Sequence, residues 1–505
     1  MQVFHSQERS KLKGKAKVEV KKGEQQQLLY HYLIDMLAVQ RLLARKIHLP
    51  ANGTVRQFQS LAEFNVWKDD VRASKLPKPD NLEHLTLRES APFLHSVSPM
   101  ADHLQLAGTF SNATIISTSS SLETPKSPRD ALLQCTYPLE TDALLRNSVT
   151  DFSNWSSFRL GKFYEAVDAL TADVAYRHCG DIHGEHVTLV TAGHYHSRKF
   201  QKTNIQKDVA MRSYVTSVGT SSMEIRTDAI QNDNNEEEIL VNVCHTIMVA
   251  LDTETGKTLG KVGRRIPELV LETKDDEQRQ SLAQQHAQIR KERAAHAMQL
   301  RSPVSMPPTL EEFQQLHQLH QARALQQLLE NATTTDNNPP RVADYTFRSS
   351  TVVFPENRNV HGKLFGGFIM EEGEKLAQYT ASFFSKGEPI VPLGIDEAIF
   401  LQPIAIGDMV TFTARLVHST SNTCRVLVLV EVRDPANRDK VPLRSNRLLF
   451  VFCGDDFPKE KVIPETYSEI LMHVDAQRRQ NVEGPTQEEA QAILEESQRL
   501  RNEQL

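Results

Sequence analysis

A chain of 505 residues has room for roughly two to four domains, and its net charge of −6 with 24% charged residues lacks the basic excess of a nucleic-acid binder. Cys135, Cys179, Cys244, Cys424 and Cys453 are odd in number and scattered, without the paired spacing of a zinc ribbon or a redox dithiol, so they read as buried free thiols in a reducing compartment. No apolar run approaches the roughly 18 residues that a membrane-spanning helix needs, which excludes a transmembrane segment.

In chain order, residues 1–35 are rich in Lys and Gln and end at Asp35; they are expected to be a disordered leader or a stretch that precedes the true start of translation. From Met36 to Ala62 there is no acid, Arg41, Arg45, Lys46 and Arg56 supply positive charge, and Leu37, Leu42, Leu43 and Ile47 recur at near-helical spacing. That is the composition of a mitochondrial transit segment, expected over 36–63. A start at Met36, or processing that exposes this segment, would send the protein to the mitochondrial matrix; otherwise it would stay in the cytoplasm. Residues 64–130 run through Pro77, Pro79, Pro92 and Pro99 and a Ser/Thr cluster over 117–127, and predict loops with little fold.

A first domain is expected over 131–271. Its helix starts near Gly161, with Phe163, Val167, Leu170 and Val174 at the 3, 4 spacing of a buried face. Ala166, Ala169, Ala172 and Ala175 leave little polar surface elsewhere, as befits a central helix wrapped by a sheet. Strand-like runs follow at Val187–His196, Val209–Ile230 and Glu238–Leu251, then a hairpin-like Asp252–Gly260. Residues 272–342 predict a linker of exposed helices, broken at Pro303, Pro307 and Pro308. A second domain over 343–465 repeats the helix and strands, with runs at Val410–Val417, Arg425–Val432 and Leu448–Phe452. Residues 466–505 form a charged tail, whose helix is expected to open at Thr486 with Glu489 in capping-box spacing and to be solvated or to lie on a partner subunit.

The two domains echo each other. Gly367 and Glu374 follow Gly161 and Asp168 by the same 206 positions, so each copy has a glycine opening a helix and an acid seven residues later. Ser221–Ile225 likewise answers to Asn422–Val426 at nearly the same separation. A repeat this long is a whole domain rather than a solenoid unit.

In the second copy, Asn359, His361, Gly362, Phe365, Gly366 and Gly367, followed by Ile369-Met370, Gly394-Ile395-Asp396, Phe400 and Ile406-Gly407-Asp408, form a pattern that resembles the acyl-CoA thioesterases of the hot-dog fold. The tandem arrangement with a helical insert is similar to the mitochondrial acyl-CoA thioesterase 9 type, over roughly 131–465. The resemblance implies an α+β chain of two tandem hot-dog domains, each a curved antiparallel sheet around a central helix, paired as a pseudo-dimer. It further implies an acyl-CoA substrate, no cofactor and assembly into a homo-oligomer.

In the family, the asparagine of one motif works with the acid of the other across the pseudo-twofold interface. Carried over, these are Asn359 and Asp168: Asp168 would activate a water while Asn359 orients it. Backbone N–H groups at Gly366 and Gly367, in the loop with His361, Gly362 and Phe365, would stabilise the oxyanion. The reciprocal site would offer Ser153 and Glu374, a poor carboxamide substitute and an acid one methylene too long. Arg159-Leu160 also replaces the Phe-Gly of the other loop, so one working site per chain is expected. Arg358 and Lys363 are candidate cations for the phosphates of coenzyme A. His361 reads as a hydrogen-bonding residue of the loop. His178, Cys179, His183, His186, His194 and His196 fit no closed metal site, and no metal is expected. Two alternatives stay open: a non-catalytic acyl-CoA sensor or scaffold, and a hot-dog hydratase, for which His361 would have to pair with an acid.

Overall fold

The computed structural model describes residues 83–85, 104–108, 124–151, 158–181, 184–200, 203–232, 237–299, 307–330, 340–359, 361–437, 441–454, 457, 461–483, 490, 492 and 495. The Met36–Ala62 segment, Ser153, His183 and the Thr486–Glu489 box lie outside them. Among the described residues, no helix is long and apolar enough to cross a membrane.

Two stretches of chain build the same motif. The first runs β3 (Leu133–Tyr137), α1 (Ala143–Val149), α2 (Leu160–Cys179), β4 (Val187–Lys199), β5 (Val209–Val218), β6 (Ser222–Asn232) and β7 (Glu238–Asp252), preceded by the short strands β1 (Glu83–Leu85) and β2 (Gln105–Gly108). Helices α3 (Lys274–Gln299) and α4 (Leu310–Glu330) follow. The second is β8 (Thr346–Val352), α5 (Gly366–Phe384), β9 (Ile390–Phe400), β10 (Met409–Ser419), β11 (Thr423–Arg433) and β12 (Leu443–Gly454), then α6 (Tyr467–Glu483). All twelve strands join one sheet in the order β1-β2-β3-β5-β6-β7-β4-β9-β12-β11-β10-β8, so the order 3-5-6-7-4 in one half recurs as 8-10-11-12-9 read inward from the far edge. Every pairing is antiparallel, including the seam between halves, where β4 meets β9 from Gly193↔Ile399 to Arg198↔Gly394. Gly394 is needed at that seam: with φ 151°, an added Cβ would stand 2.1 Å from the Ser197 carbonyl oxygen.

Each half wraps its sheet around a long helix, the hot-dog arrangement. Phe163, Val167, Leu170 and Val174 are buried as their spacing predicts, and the interleaved alanines are buried too, so α2 is apolar on nearly every face because protein surrounds it. Its C-terminus closes on Gly180 in the left-handed conformation, φ 68°, whose N–H reaches the Arg177 and Tyr176 carbonyls. Helices α2 and α5 pack against each other so closely that the N-terminus of each lies on the second turn of the other.

Several local expectations change. Two strands, β1 and β2, occur where only loops are expected, because β2 pairs with the edge of β3. The run Val209–Ile230 is two strands turning at 219–221, and Asp252–Gly260 closes with a bridge Leu251↔Thr258 before a short 3₁₀ turn at Leu259–Val262. The linker helices are not simply exposed. Asp276, Arg279, Ala283, His286 and Ile289 of α3 recur at helical spacing and are buried against the outer face of the first half's sheet, contacting β5. Ahead of the expected Thr486 start, which lies outside the described residues, a helix not anticipated opens at Thr466, where a reciprocal pair of bonds with Glu469 caps α6. This helix is docked: Met472 and Ala476 pack on Val417, Leu427, Leu429 and Leu449, while Ile470 and Val474 meet Leu316 of α4. Salt bridges from Arg447 and Arg479 to Asp475 and Glu397 fix it to the sheet. Helices α3 and α6 thus cover matching strands of the two halves, β5 and β10.

Candidate active site

Asp168 occupies the third turn of α2, is only 4% exposed, and lies directly under the first turn of α5. Its Oδ2 accepts a hydrogen bond from the Gly367 N–H at 2.8 Å, and its Oδ1 accepts one from the Thr191 hydroxyl at 2.8 Å. His194 Nε2 stands 3.4 Å from the same Oδ1. A backbone donor at the start of α5 and a hydroxyl of β4 therefore hold this buried carboxylate in one orientation. Glycine is required at the contact. A Cβ on Gly366 would come within 2.7 Å of Asp168 Oδ2, and one on Gly367 within 2.4 Å of the Phe365 ring and 2.8 Å of the Glu165 Cα. The Gly367 amide, expected to be free for a substrate oxygen, is instead engaged by Asp168.

The loop before α5 is built on its own backbone. Asn359 Oδ1 accepts from the N–H groups of His361 and Lys363 at 3.0 and 3.1 Å, and the Asn359 N–H donates to the Lys363 carbonyl at 2.7 Å. Gly362, φ 68°, supplies the turn. With the carboxamide oxygen anchored in this way, the Asn359 NH₂ has no partner among the described residues and is free to donate outward. His361 reaches across to the other half: its Nε2 is 3.0 Å from the Tyr176 hydroxyl on α2. Phe365 is buried, and its N–H donates to the Asn357 carbonyl. Arg358 and Lys363 are exposed in the loop, with no ion pair among the described residues.

The mirror-image junction is different. Glu374, on α5, is fully buried beside Gly161 of α2, where an added Cβ would meet Glu374 Oε2 at 3.1 Å, yet neither carboxyl oxygen has a hydrogen-bond partner among the described residues. Burial, with the charge of Asp151 adding to it, raises the pKa of Glu374 to about 8, so the group is mostly protonated at neutral pH. Asp151 is itself buried, and both of its carboxyl oxygens accept from Gln378 Nε2, at 2.8 and 3.0 Å. Arg159 pairs with Glu371 at 2.9 Å, as does Lys162 at 3.1 Å.

Sequence reasoning did not identify Thr191 or His194 as neighbours of Asp168. A bulge in β4 between Thr191 and Gly193 puts both on the face toward α2, although three positions separate them and a regular strand would oppose them. His194 is held by Thr246 at 2.9 Å, with its ring edge-on to Phe400. Among the described histidines of that stretch, His178 bonds the Pro267 carbonyl at 3.0 Å, and His186 is exposed. A second bulge, between Tyr195 and Arg198 with His196 at φ 50°, turns His196 to the opposite face of the sheet.

Comparison with known proteins gives the following. A model of the thioesterase superfamily matches residues 361–437. The mitochondrial acyl-coenzyme A thioesterase 9 of Mus musculus is 26% identical over 378 residues, covering 70% of this chain and 78% of that protein. The mitochondrial acyl-coenzyme A thioesterase 10 of the same organism is 25% identical over 365 residues, covering 70% and 78%. Among solved structures, the acyl-CoA hydrolase of Staphylococcus aureus in complex with butyryl coenzyme A, coenzyme A and coenzyme A disulfide is 22% identical, covers 32% of this chain and 94% of that one, and has a TM-score of 0.25.

Proposed function

We propose that this chain, an acyl-CoA thioesterase of the tandem kind, cleaves acyl-CoA to a free carboxylic acid and coenzyme A at one working site, formed where Asp168 of the first half meets the loop and helix start of the second. The observation that carries this reading is the hydrogen bond from the Gly367 N–H to Asp168 across the α2–α5 contact. Thr191 and the α5 amide hold the carboxylate in one orientation, from which it can take a proton from a water poised beside it. Asn359, its carboxamide oxygen anchored, presents N–H donors toward a thioester carbonyl or the attacking water. The Gly366 amide supplies a further donor at the helix start. A thiolate leaves readily, so no strong acid is required on the leaving group.

The two halves would then pair as a pseudo-dimer of hot-dog domains, 131–271 and 343–465, with 272–342 as the arm between them. The exposed Arg358 and Lys363 suit the coenzyme A phosphates. Exposed Tyr379 and Phe383, clustered with Phe347, favour assembly into a homo-oligomer. The mitochondrial names of the relatives fit a mitochondrial destination for a chain carrying the Met36–Ala62 composition. A hydratase would need a histidine and an acid that both reach substrate. His361 is bonded to Tyr176, and the histidine beside Asp168, His194, is fully buried.

The test is thiol release from a panel of acyl-CoAs, short to long, by the purified protein and by Asp168→Asn. Turnover that disappears with Asp168 supports the hydrolase; tight acyl-CoA binding with no turnover by the wild type would point to a sensor.

A further inference from the structure

On the outer face of the first half's sheet, away from Asp168, three buried side chains converge from three elements. Glu224 of β6, His245 of β7 and His286 of α3 are 3%, 2% and 1% exposed, and they offer donor atoms that all lie within 4.8 Å of one another. Glu224 Oε1 is 3.2 Å from His245 Nδ1 and 3.8 Å from His286 Nδ1. The other oxygen, Oε2, is held at 2.9 Å by Arg290, one turn after His286. Neither ring nitrogen of His286 has a hydrogen bond among the described residues. The His196 ring, turned to this face by the β4 bulge, lies on His286 with centroids 4.7 Å apart.

An imidazole this deeply buried, and aimed at a carboxylate slightly too far away to bond, is poorly served by the protein alone. Around a tetrahedral zinc with metal–ligand bonds of about 2.0–2.1 Å, donor atoms stand roughly 3.3 Å apart, and the two measured edges bracket that value. The donor set of two neutral imidazoles and one carboxylate suits zinc among the divalent cations, whereas calcium and magnesium prefer all-oxygen cages. The same place in the second half shows that the fold does not impose these residues. Arg425 stands where the repeat puts Glu224, pairs with Asp396 at 2.8 Å, and bonds Gln480 of the covering helix α6.

We propose that Glu224, His245 and His286 form a zinc site that fastens helix α3, the start of the arm between the halves, to the outer face of the first half's sheet. Glu224 Oε1 and the two Nδ1 atoms are the donors, and Arg290 on Oε2 keeps the carboxylate monodentate and oriented. The three protein donors leave the fourth tetrahedral position to a water, and their burial keeps that position away from substrate and gives the ion a fastening role. The proposal is independent of the hydrolase reading.

The full-length protein, stripped with a chelator and dialysed, is titrated with zinc sulfate, and bound metal is measured by elemental analysis alongside the melting midpoint. One equivalent of zinc per chain, a rise in midpoint on loading, and at least tenfold weaker binding in His286→Gln or His245→Gln are expected. Two variants on different elements are used so that one that fails to fold does not decide the matter. Less than a tenth of an equivalent bound by the wild type, or wild-type binding by either folded variant, overturns the site.

Discussion

Asp168 and Glu374 hold equivalent places at the two ends of one helix–helix contact, and the chain treats them in opposite ways. Asp168 is short enough to fit beneath the Gly367 amide, and β4 supplies a hydroxyl and an imidazole to its other oxygen. Glu374 carries one more methylene, stands against Gly161 without taking a hydrogen bond, and has a second acid, Asp151, close enough to disfavour its charge. A buried carboxylate can serve as a base only if its surroundings support the ionised form. One junction holds its acid by hydrogen bonds from the other half's helix and from β4, and the other packs its acid with no such bond among the described residues.

The comparison is broken most severely at Asp168. In Asp168→Asn, kcat/KM for acyl-CoA should fall by roughly 10²–10⁴, the usual weight of a general base, while the melting midpoint stays near wild type. Thiol release within fivefold of wild type would shift the chemistry elsewhere. Asn359→Ala should lower kcat by about 10²-fold, as removal of an oriented donor does, with a circular dichroism spectrum unchanged; an effect on KM alone would make Asn359 a binding residue only.

Glu374→Gln should leave thiol release within about twofold of wild type and change the dependence of stability on pH. The Glu374 pKa is higher in the folded chain, about 8, than in the unfolded one, near 4.5, so between these values the folded state binds more protons. Its contribution is fully present below about pH 4.5, is lost as pH rises, and is gone above about 8. Unfolding free energies from denaturant titrations between pH 5 and 9 should fall less steeply in the variant, by about 4 kcal/mol over the range; parallel curves would mean that Glu374 is already ionised. The glycines give the smallest contrast. Gly367→Ala, whose Cβ would meet the Glu165 backbone at 2.8 Å, should destabilise by about 1–3 kcal/mol, and Gly161→Ala, with its nearest contacts at 3.1–3.2 Å, by less. Equal losses in urea unfolding would show that the two helix starts are packed alike.

Much of this architecture is legible along the chain because it depends on local pattern. The stripe Phe163, Val167, Leu170 and Val174 with its interleaved alanines identifies a helix buried on every side, and the repeat of glycine and acid at Gly161/Asp168 and Gly367/Glu374 identifies two copies of one unit. Asp168 and the Gly367 loop meet in the structure, as the resemblance implies. Thr191 and His194 were not legible, because the β4 bulge that brings them to one face leaves no mark in the alternation of residue types. The burial of α3 and α6 was hidden for a related reason. Both are rich in charged and polar residues, and their buried Arg279, Asp475 and Arg479 meet Tyr214, Arg447 and Glu397 of the sheet, which composition does not reveal.

The sequence by itself thus determined the elements whose free energy comes from their own periodicity: the two central helices, most of the strands and the doubled domain plan. Tertiary structure alone decided which acid would be held by hydrogen bonds and which would be packed without one among the described residues. That choice depends on a single methylene, a strand bulge and the approach of one helix end to another chain segment some two hundred residues away, and desolvation and hydrogen bonding at such a contact are set by three-dimensional neighbours.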